Sequence, residues 1–209
     1  MTDNQAFKLL SRRACARDAR VVLAGLPSLG LPRVVRAALL LWRGVPVAKI
    51  IHNKWFYGLP FYTDRHTLDP RPDSEALVGA VVGAGPERIL DLGTGTGCLL
   101  CAILKNLPAS SGVGIDRSRA ALRVARKNVR LLELGGRAAV GRGTFARPRV
   151  VERDFDAIVA NPPYIPRGDL RVNAGARHDP GAALYGGADG LKYYRELAAL
   201  RAPRMFLDI

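Results

Sequence analysis

The sequence has few cysteines and no long hydrophobic run, and these absences exclude several classes of protein. Its 209 residues include 3 Cys, too few for a small domain held together by disulfides. The apolar run at 37–42 is far shorter than the roughly 18 residues that a membrane-spanning helix needs. Pro27 and Gly30 break the apolar stretch near the N terminus, so we expect no signal peptide. The sequence therefore predicts a globular protein with no part in a membrane.

Acidic residues are also scarce compared with basic ones. There are 18 Asp and Glu against 32 Lys and Arg, which gives a formal net charge of +14. Such a chain is attracted to anions, including nucleic acid and ribosomes, although charge alone says nothing about a reaction. Apolar residues make up 48% and charged residues 24%, as in an average globular protein. The length suits one domain with a small appendage.

Two of the cysteines, Cys98 and Cys101, have the spacing of a redox or zinc pair. No second pair exists, and the 3 histidines follow no ligand pattern around them. Both cysteines lie in the apolar stretch 98–104, which favours a buried helix face. We therefore expect no metal site. Free thiols suit a reducing compartment, which predicts a cytoplasmic location.

The chain divides into three regions by composition. Residues 1–43 show apolar residues at helical spacing and predict a short helical domain. Residues 44–70 are rich in β-branched and aromatic residues and predict an extended connector or hairpin with a turn at Gly58. The third region, 71–209, opens with a helix near Pro72 and then alternates strands and helices.

This alternation predicts an α/β fold with a doubly wound, mostly parallel sheet. We expect strands at 88–92, 112–116, 155–160 and 205–209, with helices at 98–107, 118–132 and 190–200.

A glycine-rich loop follows the first of these strands. A dinucleotide-binding loop would need glycine at position 98, and a phosphate-binding P-loop would need a lysine; neither is present. The spacing instead resembles the first motif of S-adenosylmethionine-dependent methyltransferases. The residues of this motif expected to bind that cofactor are Asp91, Gly93, Thr94, Gly95, Thr96 and Gly97. Asn161, farther along the chain, is expected to contact the cofactor as well.

The second strand ends in Asp116. A carboxylate at the tip of the neighbouring strand could accept hydrogen bonds from both ribose hydroxyls of a nucleoside. The alternative is that Asp116 caps the helix that begins near Ser118. The glycine-rich loop beside it favours the ribose interpretation.

The segment Asn161–Tyr164 follows another buried strand, and its sequence is Asn-Pro-Pro-Tyr. This signature is typical of methyltransferases that act on planar amide or exocyclic amine nitrogens. Such a nitrogen attacks a methyl group well only if its delocalised lone pair is freed and aimed. Asn161 could accept one N–H through its side chain and Pro162 the other through its carbonyl, while Tyr164 packs on the planar group and Pro163 helps to shape the site.

With these residues, the chain resembles the HemK-type release-factor glutamine methyltransferases. Further segments that carry the resemblance are 56–61, 69–75 and 179–191. The resemblance implies a class I methyltransferase fold and methyl transfer from S-adenosylmethionine to the glutamine amide of the Gly-Gly-Gln motif in peptide chain release factors. It also implies that the N-terminal helices help to hold the protein substrate. Phe145 would pack near the adenine, with Thr144 where the family commonly has an acid.

The family's last helix and closing strand pair have no counterpart in this sequence. We therefore expect the fifth strand, with Leu207 and Ile209, to form an uncovered sheet edge and the protein to be marginally stable.

Two other functions stay open at this point. One is an amino-methyltransferase of DNA or RNA, which the net charge and a basic face on helix 118–132 favour. A solvated surface, open to non-specific contact with nucleic acid, explains that face better, and the sequence shows no target-recognition domain. The other is a catalytically impaired remnant that keeps the fold. The basic face comprises Arg119, Arg123, Arg126 and Arg130.

Overall fold

The computed structural model describes residues 1–12, 14–169 and 174–208. Its first part consists of helices α1 (Asp3–Leu10), α2 (Ala16–Gly25) and α3 (Leu31–Trp42), as the apolar spacing predicts. Thr2 and Gln5 form a capping box that begins α1, and Pro32 stands in the first turn of α3. These helices share a small apolar core that includes Leu10, Val22 and Val34.

The segment after α3 differs from its prediction. Val47–Ile51 forms a short helix, α4, where β-branched residues suggested extended chain. Ile51 packs so closely on α2 that a β-carbon at Gly25 would lie 2.8 Å from its side chain. Tertiary packing therefore overrides the local preference.

The hairpin predicted in this region is present. Strands β1 (Lys54–Phe56) and β2 (Leu59–Phe61) pair antiparallel. Tyr57 and Gly58 connect them with φ of 49° and 71°, the conformation of a tight hairpin turn.

The main sheet has five strands, all paired in parallel, and it confirms the doubly wound fold. In space the order is β5-β4-β3-β6-β7, and the strands are β3 (Arg88–Leu92), β4 (Ser111–Asp116), β5 (Ala138–Arg142), β6 (Ala157–Ala160) and β7 (Met205–Leu207). The chain runs from β3 outward through β4 and β5, and then crosses to β6 and β7 on the other side of β3. Such sheets bind ligands at the point where the direction of strand order reverses.

Helices cover both faces of this sheet. Ile89 and Val159 face the core formed with α5 (Glu75–Ala84), α6 (Cys98–Asn106) and part of α7 (Arg119–Leu131). Leu90 and Ile158, one residue along each strand, face the other core with α8 (Lys192–Ala198). This alternation is the two-residue period of a strand buried on both sides.

The sequence does not predict strand β5, because this edge strand, Ala-Ala-Val-Gly-Arg, is half exposed and carries one β-branched residue. In the described residues β7 pairs with β6 alone, and Leu207 is half-buried. The expectation for Ile209 lies outside the described residues. The four arginines expected to share a face of α7 are exposed.

No helix in the described ranges has the length and apolar character needed to cross a membrane.

Candidate functional site

The glycine-rich loop turns sharply at the end of β3. Gly93, Gly95 and Gly97 have φ of 75°, 55° and 79°, a region that favours glycine. The backbone N–H groups of Gly93 and Thr94 both donate to the carbonyl of Ile115, at 2.8 and 3.0 Å, which fixes the loop against the end of β4. A β-carbon on Gly93 would lie 2.8 Å from the ring of Phe145. Only a glycine therefore fits at this point of the loop.

A cavity of about 310 Å³ lies beside this loop. We call it the first cavity. His66, Lys192 and Glu196 also line it, and sequence reasoning predicted none of the three as a site residue. Of the residues predicted to bind the cofactor, those in its wall are Gly93, Gly95, Asp116, Phe145 and Asn161.

Phe145 forms one wall of the first cavity and is 9% exposed. Its ring lies 4.9 Å from the ring of Tyr193, with the two planes tilted by 44°. The neighbouring Thr144 also lines the cavity. An aromatic face held in this way could pack against a planar ring.

The other predicted cofactor residues lie behind the loop. Asp91 is 0% exposed, and its Oδ2 accepts a hydrogen bond of 2.6 Å from the hydroxyl of Thr94. Burial raises the pKa of Asp91 to about 7, against the opposing effect of the Thr94 hydrogen bond. Asp91, Thr94, Thr96 and Gly97 do not line the first cavity. In this structure they support the conformation of the loop, through the Thr94–Asp91 hydrogen bond and the positive φ of Gly97.

Asp116 lines the first cavity and holds the loop at the same time. Its Oδ2 accepts the N–H of Gly95 at 3.0 Å, and its Oδ1 accepts the N–H of Ser118 at 2.8 Å. The cap of α7 is Ser118, whose hydroxyl accepts the N–H of Ala121 at 3.2 Å, so the capping alternative for Asp116 is wrong. Burial raises the pKa of Asp116, and these hydrogen bonds partly offset the rise.

Asn161 follows β6 and lies between two cavities. It lines the first cavity together with Pro163. A second cavity, of about 450 Å³, is lined by Asn161, Pro162, Pro163 and Tyr164. Tyr164 is 54% exposed. Asn161 and Pro163 thus lie between the two cavities, whereas Pro162 and Tyr164 line the second cavity alone.

Two residues that sequence reasoning missed contact Asn161 directly. Its Nδ2 donates to Ser74 Oγ and to Asp208 Oδ2, each at 2.8 Å. Ser74 lies in segment 69–75, which carries the family resemblance, and Asp208 directly follows strand β7; these positions were the available signal. Their sequence positions gave no reason to bring them together.

A third missed residue, Asn128, joins the connector to the glycine loop. It is 0% exposed on α7. Its amide donates to the carbonyls of Tyr62 and Thr96, at 2.9 and 2.8 Å, and accepts the N–H of Tyr62 at 2.8 Å. A polar residue on the otherwise apolar face of α7 was the signal that could have found it.

A buried ion cluster lies near the second cavity. Lys49 Nζ is 3.1 Å from Asp69 and 2.8 Å from Asp179, and all three side chains are almost fully buried. Arg71, which lines the second cavity, donates to Asp179 at 2.9 Å. The cluster ties α4 and the connector to the segment that precedes α8.

Cys98 and Cys101 both lie on α6, the helix predicted from their apolar stretch. Cys101 is 0% exposed, and Cys98 is half-buried on α6. Burial raises the pKa of Cys98 to about 12 and also raises that of Cys101. Within the described ranges, no three His, Cys, Asp or Glu side chains are grouped so that they could hold a metal ion.

The model of the methyltransferase small domain matches residues 67–178. The chain is 48% identical over 160 residues to the release factor glutamine methyltransferase of Rhodospirillum rubrum, covering 74% of this chain and 48% of the relative. It is 41% identical over 167 residues to the enzyme of the same name from Caulobacter vibrioides, covering 75% of this chain and 56% of the relative. The chain thus spans about half the length of the curated relatives it matches.

Solved structures also resemble it. One is a putative RNA methyltransferase from Pyrococcus horikoshii, with 23% identity, a TM-score of 0.41 and coverage of 54% of this chain and 53% of that one. The family model covers more than half of the chain, including the glycine-rich loop, Asp116 and Asn161. This chain belongs to the methyltransferase small domain family.

Proposed function

We propose that this chain binds S-adenosylmethionine in the first cavity and methylates the side-chain amide of the glutamine in the Gly-Gly-Gln motif of peptide chain release factors. The observation that carries the proposal is the position of Asn161 on the boundary between the two cavities. A methyl donor on one side and an acceptor amide on the other would meet there. The choice of a release-factor glutamine as the methyl acceptor is supported by the names of the similar proteins, which are release factor glutamine methyltransferases.

The residues around the first cavity fit the cofactor. Gly93 and Gly95 leave bare backbone beside the cavity, where a nucleoside could approach closely. Asp116 offers a carboxylate for the ribose hydroxyls, and Phe145 offers an aromatic face for the adenine. When bound, S-adenosylmethionine supplies an electrophilic methyl group on a sulfonium. Asp91, Thr94, Thr96 and Gly97 would act indirectly, by holding the loop.

The residues around the second cavity fit a planar amide. Asn161 Oδ1 receives no hydrogen bond from any residue that the structure describes, so it is free to accept an N–H of the glutamine. The carbonyl of Pro162 would accept the other N–H. Held by both, the nitrogen would be oriented with its lone pair released from the amide. Formation of the N–CH3 bond would break the S–CH3 bond, S-adenosylhomocysteine would leave, and the nitrogen would lose one proton to solvent. Tyr164 would pack on the amide plane.

The proposal extends to the rest of the chain. We infer three units, 1–43, 44–70 and 71–209, with the N-terminal helices α1–α3 contacting the release factor. The three free cysteines Cys15, Cys98 and Cys101 suit a cytoplasmic protein. Contact with nucleic acid would be limited to non-specific attraction by the exposed arginines of α7.

Methyl transfer from labelled S-adenosylmethionine tests this function. The acceptors are a release factor, the same factor with its Gly-Gly-Gln glutamine replaced by alanine, DNA and RNA. We expect label in the unmodified release factor alone. Label in DNA or RNA would favour the nucleic-acid alternative. Cofactor binding without transfer to any acceptor would indicate an impaired remnant.

A further inference from the structure

We propose that Ser74 and Asp208 are positioning residues that orient the side-chain amide of Asn161. They keep its nitrogen turned away from the acceptor and its oxygen available to it. For its part in methyl transfer, this inference rests on the proposed function. The orientation itself is a property of the folded chain and can be tested separately.

The three polar groups form a closed triangle. Asn161 Nδ2 donates to Ser74 Oγ and to Asp208 Oδ2, both at 2.8 Å. The hydroxyl of Ser74 also donates to the same oxygen of Asp208. Because the two acceptor oxygens are hydrogen-bonded to each other, they lie on the same side of the amide nitrogen. One end of the amide is therefore fixed by two partners.

The carboxylate of Asp208 determines that the nitrogen of the Asn161 amide, and not its oxygen, faces Ser74 and Asp208. An ionised carboxylate only accepts hydrogen bonds. If the Asn161 amide were turned by 180°, its oxygen would face the Asp208 oxygen, and two acceptors would meet without a proton between them. Asp208 thus excludes the reversed orientation. Serine alone would not, because a hydroxyl both donates and accepts.

Both partners are themselves held in place. Ser74 is 3% exposed, and its N–H donates to the carbonyl of Arg71 at 3.2 Å. The N–H of Asp208 donates to the carbonyl of Ala160 at 3.1 Å, so Asp208 continues the pairing of β7 with β6 right beside Asn161. The hydroxyl of Tyr194 donates to the backbone carbonyl of Asp208 at 2.7 Å. None of these backbone contacts uses the side chain of Asp208.

The orientation matters because the glutamine amide nitrogen carries only donors. An Asn161 oxygen can accept one of its N–H groups, whereas an Asn161 nitrogen would oppose them. An Asp208→Asn substitution keeps the shape and the backbone contacts but adds a donor to the triangle. Both orientations of Asn161 then become possible.

Two readouts on the full chain test the inference. The first is the side-chain amide signals of Asn161 in ¹⁵N–¹H spectra, assigned by their loss in Asn161→Asp. We expect a hydrogen-bonded signal, shifted downfield and slow to exchange with solvent, that loses both properties in Asp208→Asn. The matched control is Asp189→Asn, which removes an exposed carboxylate paired with Arg195 and leaves the signal unchanged.

The second readout is methyl transfer to the release factor. We expect kcat to fall at least tenfold in Asp208→Asn and by less in Ser74→Ala, where the carboxylate remains. The Kd for S-adenosylmethionine should stay within twofold in both. If Asp208 served only to hold β7, the Asn variant would keep wild-type kcat.

The two proposals fail in different ways. Unchanged Asn161 signals in Asp208→Asn would overturn the positioning inference, whatever the activity. A wild-type chain that methylates no acceptor, but whose Asn161 signals respond as expected, would overturn the proposed function and leave the orientation established.

Discussion

Asn161 and Asp116 both line the first cavity, but they have different partners. Asp116 receives backbone N–H groups from Gly95 and Ser118 and so belongs to the glycine loop. Asn161 is bound by two side chains from distant segments and belongs to the boundary of the second cavity. This separation predicts that cofactor binding and methyl transfer can be impaired independently.

Replacement of Asn161 by alanine should affect the transfer step. It removes one of two acceptors for the glutamine amide, which is expected to cost about 2–4 kcal/mol in the transition state. The Kd for S-adenosylmethionine should change little, since Gly93, Gly95 and Asp116 remain. Single-turnover kinetics and calorimetry measure the two quantities. A variant that transfers methyl groups at the wild-type rate would refute the role of Asn161.

The buried Asp91 should make stability depend on pH in an unusual direction. Its pKa is raised to about 7 in the folded state from 3.8, so folding favours the protonated form. The stability it contributes is complete below about pH 4 and is lost as the pH rises through about 7. Asp91→Asn removes this titration.

Urea unfolding from pH 4.5 to 8 of wild type and Asp91→Asn measures the effect. The wild-type free energy of unfolding minus that of the variant should fall with rising pH, by about 3 kcal/mol over this range, and level off above about pH 7. A difference that is constant with pH would mean that Asp91 is ionised in the folded protein throughout this range.

At the scale of elements, strand β4 supports the loop through two glycines. A β-carbon at Gly114 would lie 2.7 Å from the hydroxyl of Thr94, and one at Gly112 would lie 2.8 Å from the carbonyl of Ile89. Small residues in this strand thus let the glycine loop and β3 approach it. The loop geometry depends on β4 as much as on its own glycines.

Gly114→Ala should therefore disturb the glycine-rich loop through its contact with Thr94. It forces Thr94 to move and weakens the Thr94–Asp91 hydrogen bond, at a cost of about 1–3 kcal/mol in the free energy of unfolding. Affinity for S-adenosylmethionine should fall as well. Gly136→Ala is the control, because a β-carbon there meets nothing within 4 Å. Denaturant unfolding and calorimetry compare the two, and equal effects would contradict the account.

The elements that could be predicted from the sequence are those whose apolar pattern matches their burial. β3 and β6 are short apolar runs buried on both faces, and α7 has a clear apolar stripe. Helix α4 was missed because packing against α2 decides its conformation. Edge strand β5 was missed because half of it faces solvent and shows no strong pattern. The glycine-rich loop and the Asn-Pro-Pro-Tyr segment could be placed for the same reason, since each directly follows a buried strand that the apolar pattern predicts.

At the scale of the whole molecule, polar contacts join segments that lie far apart in the sequence, and sequence reasoning did not predict these contacts. Ser74 and Asp208 are 134 residues apart and meet at Asn161. Asn128 links the connector to the loop, and Lys49 links α4 to Asp69 and Asp179. Such pairings depend on the complete tertiary structure. The candidate site could therefore be located from the sequence, but its supporting residues could not.

The buried ion cluster should be important for stability. Asp179→Ala leaves Asp69 as the carboxylate beside Lys49, whose Nζ also donates to the carbonyls of Asp64 and Thr67, and it removes the carboxylate paired with Arg71. The loss is expected to cost about 3–5 kcal/mol in the free energy of unfolding. Asp189→Ala breaks an exposed ion pair with Arg195 and should have little effect. Chemical denaturation compares them. Equal stability of the two variants would show that the cluster is not a major stabilising contact.

Mass spectrometry of a release factor after incubation with the chain and S-adenosylmethionine tests the central claim most directly. The account predicts one added methyl group on the glutamine of the Gly-Gly-Gln peptide, and a strongly reduced yield when Asn161→Ala replaces the wild type under the same conditions. A methyl group on another residue, or an equal yield from the Asn161→Ala variant, would contradict it.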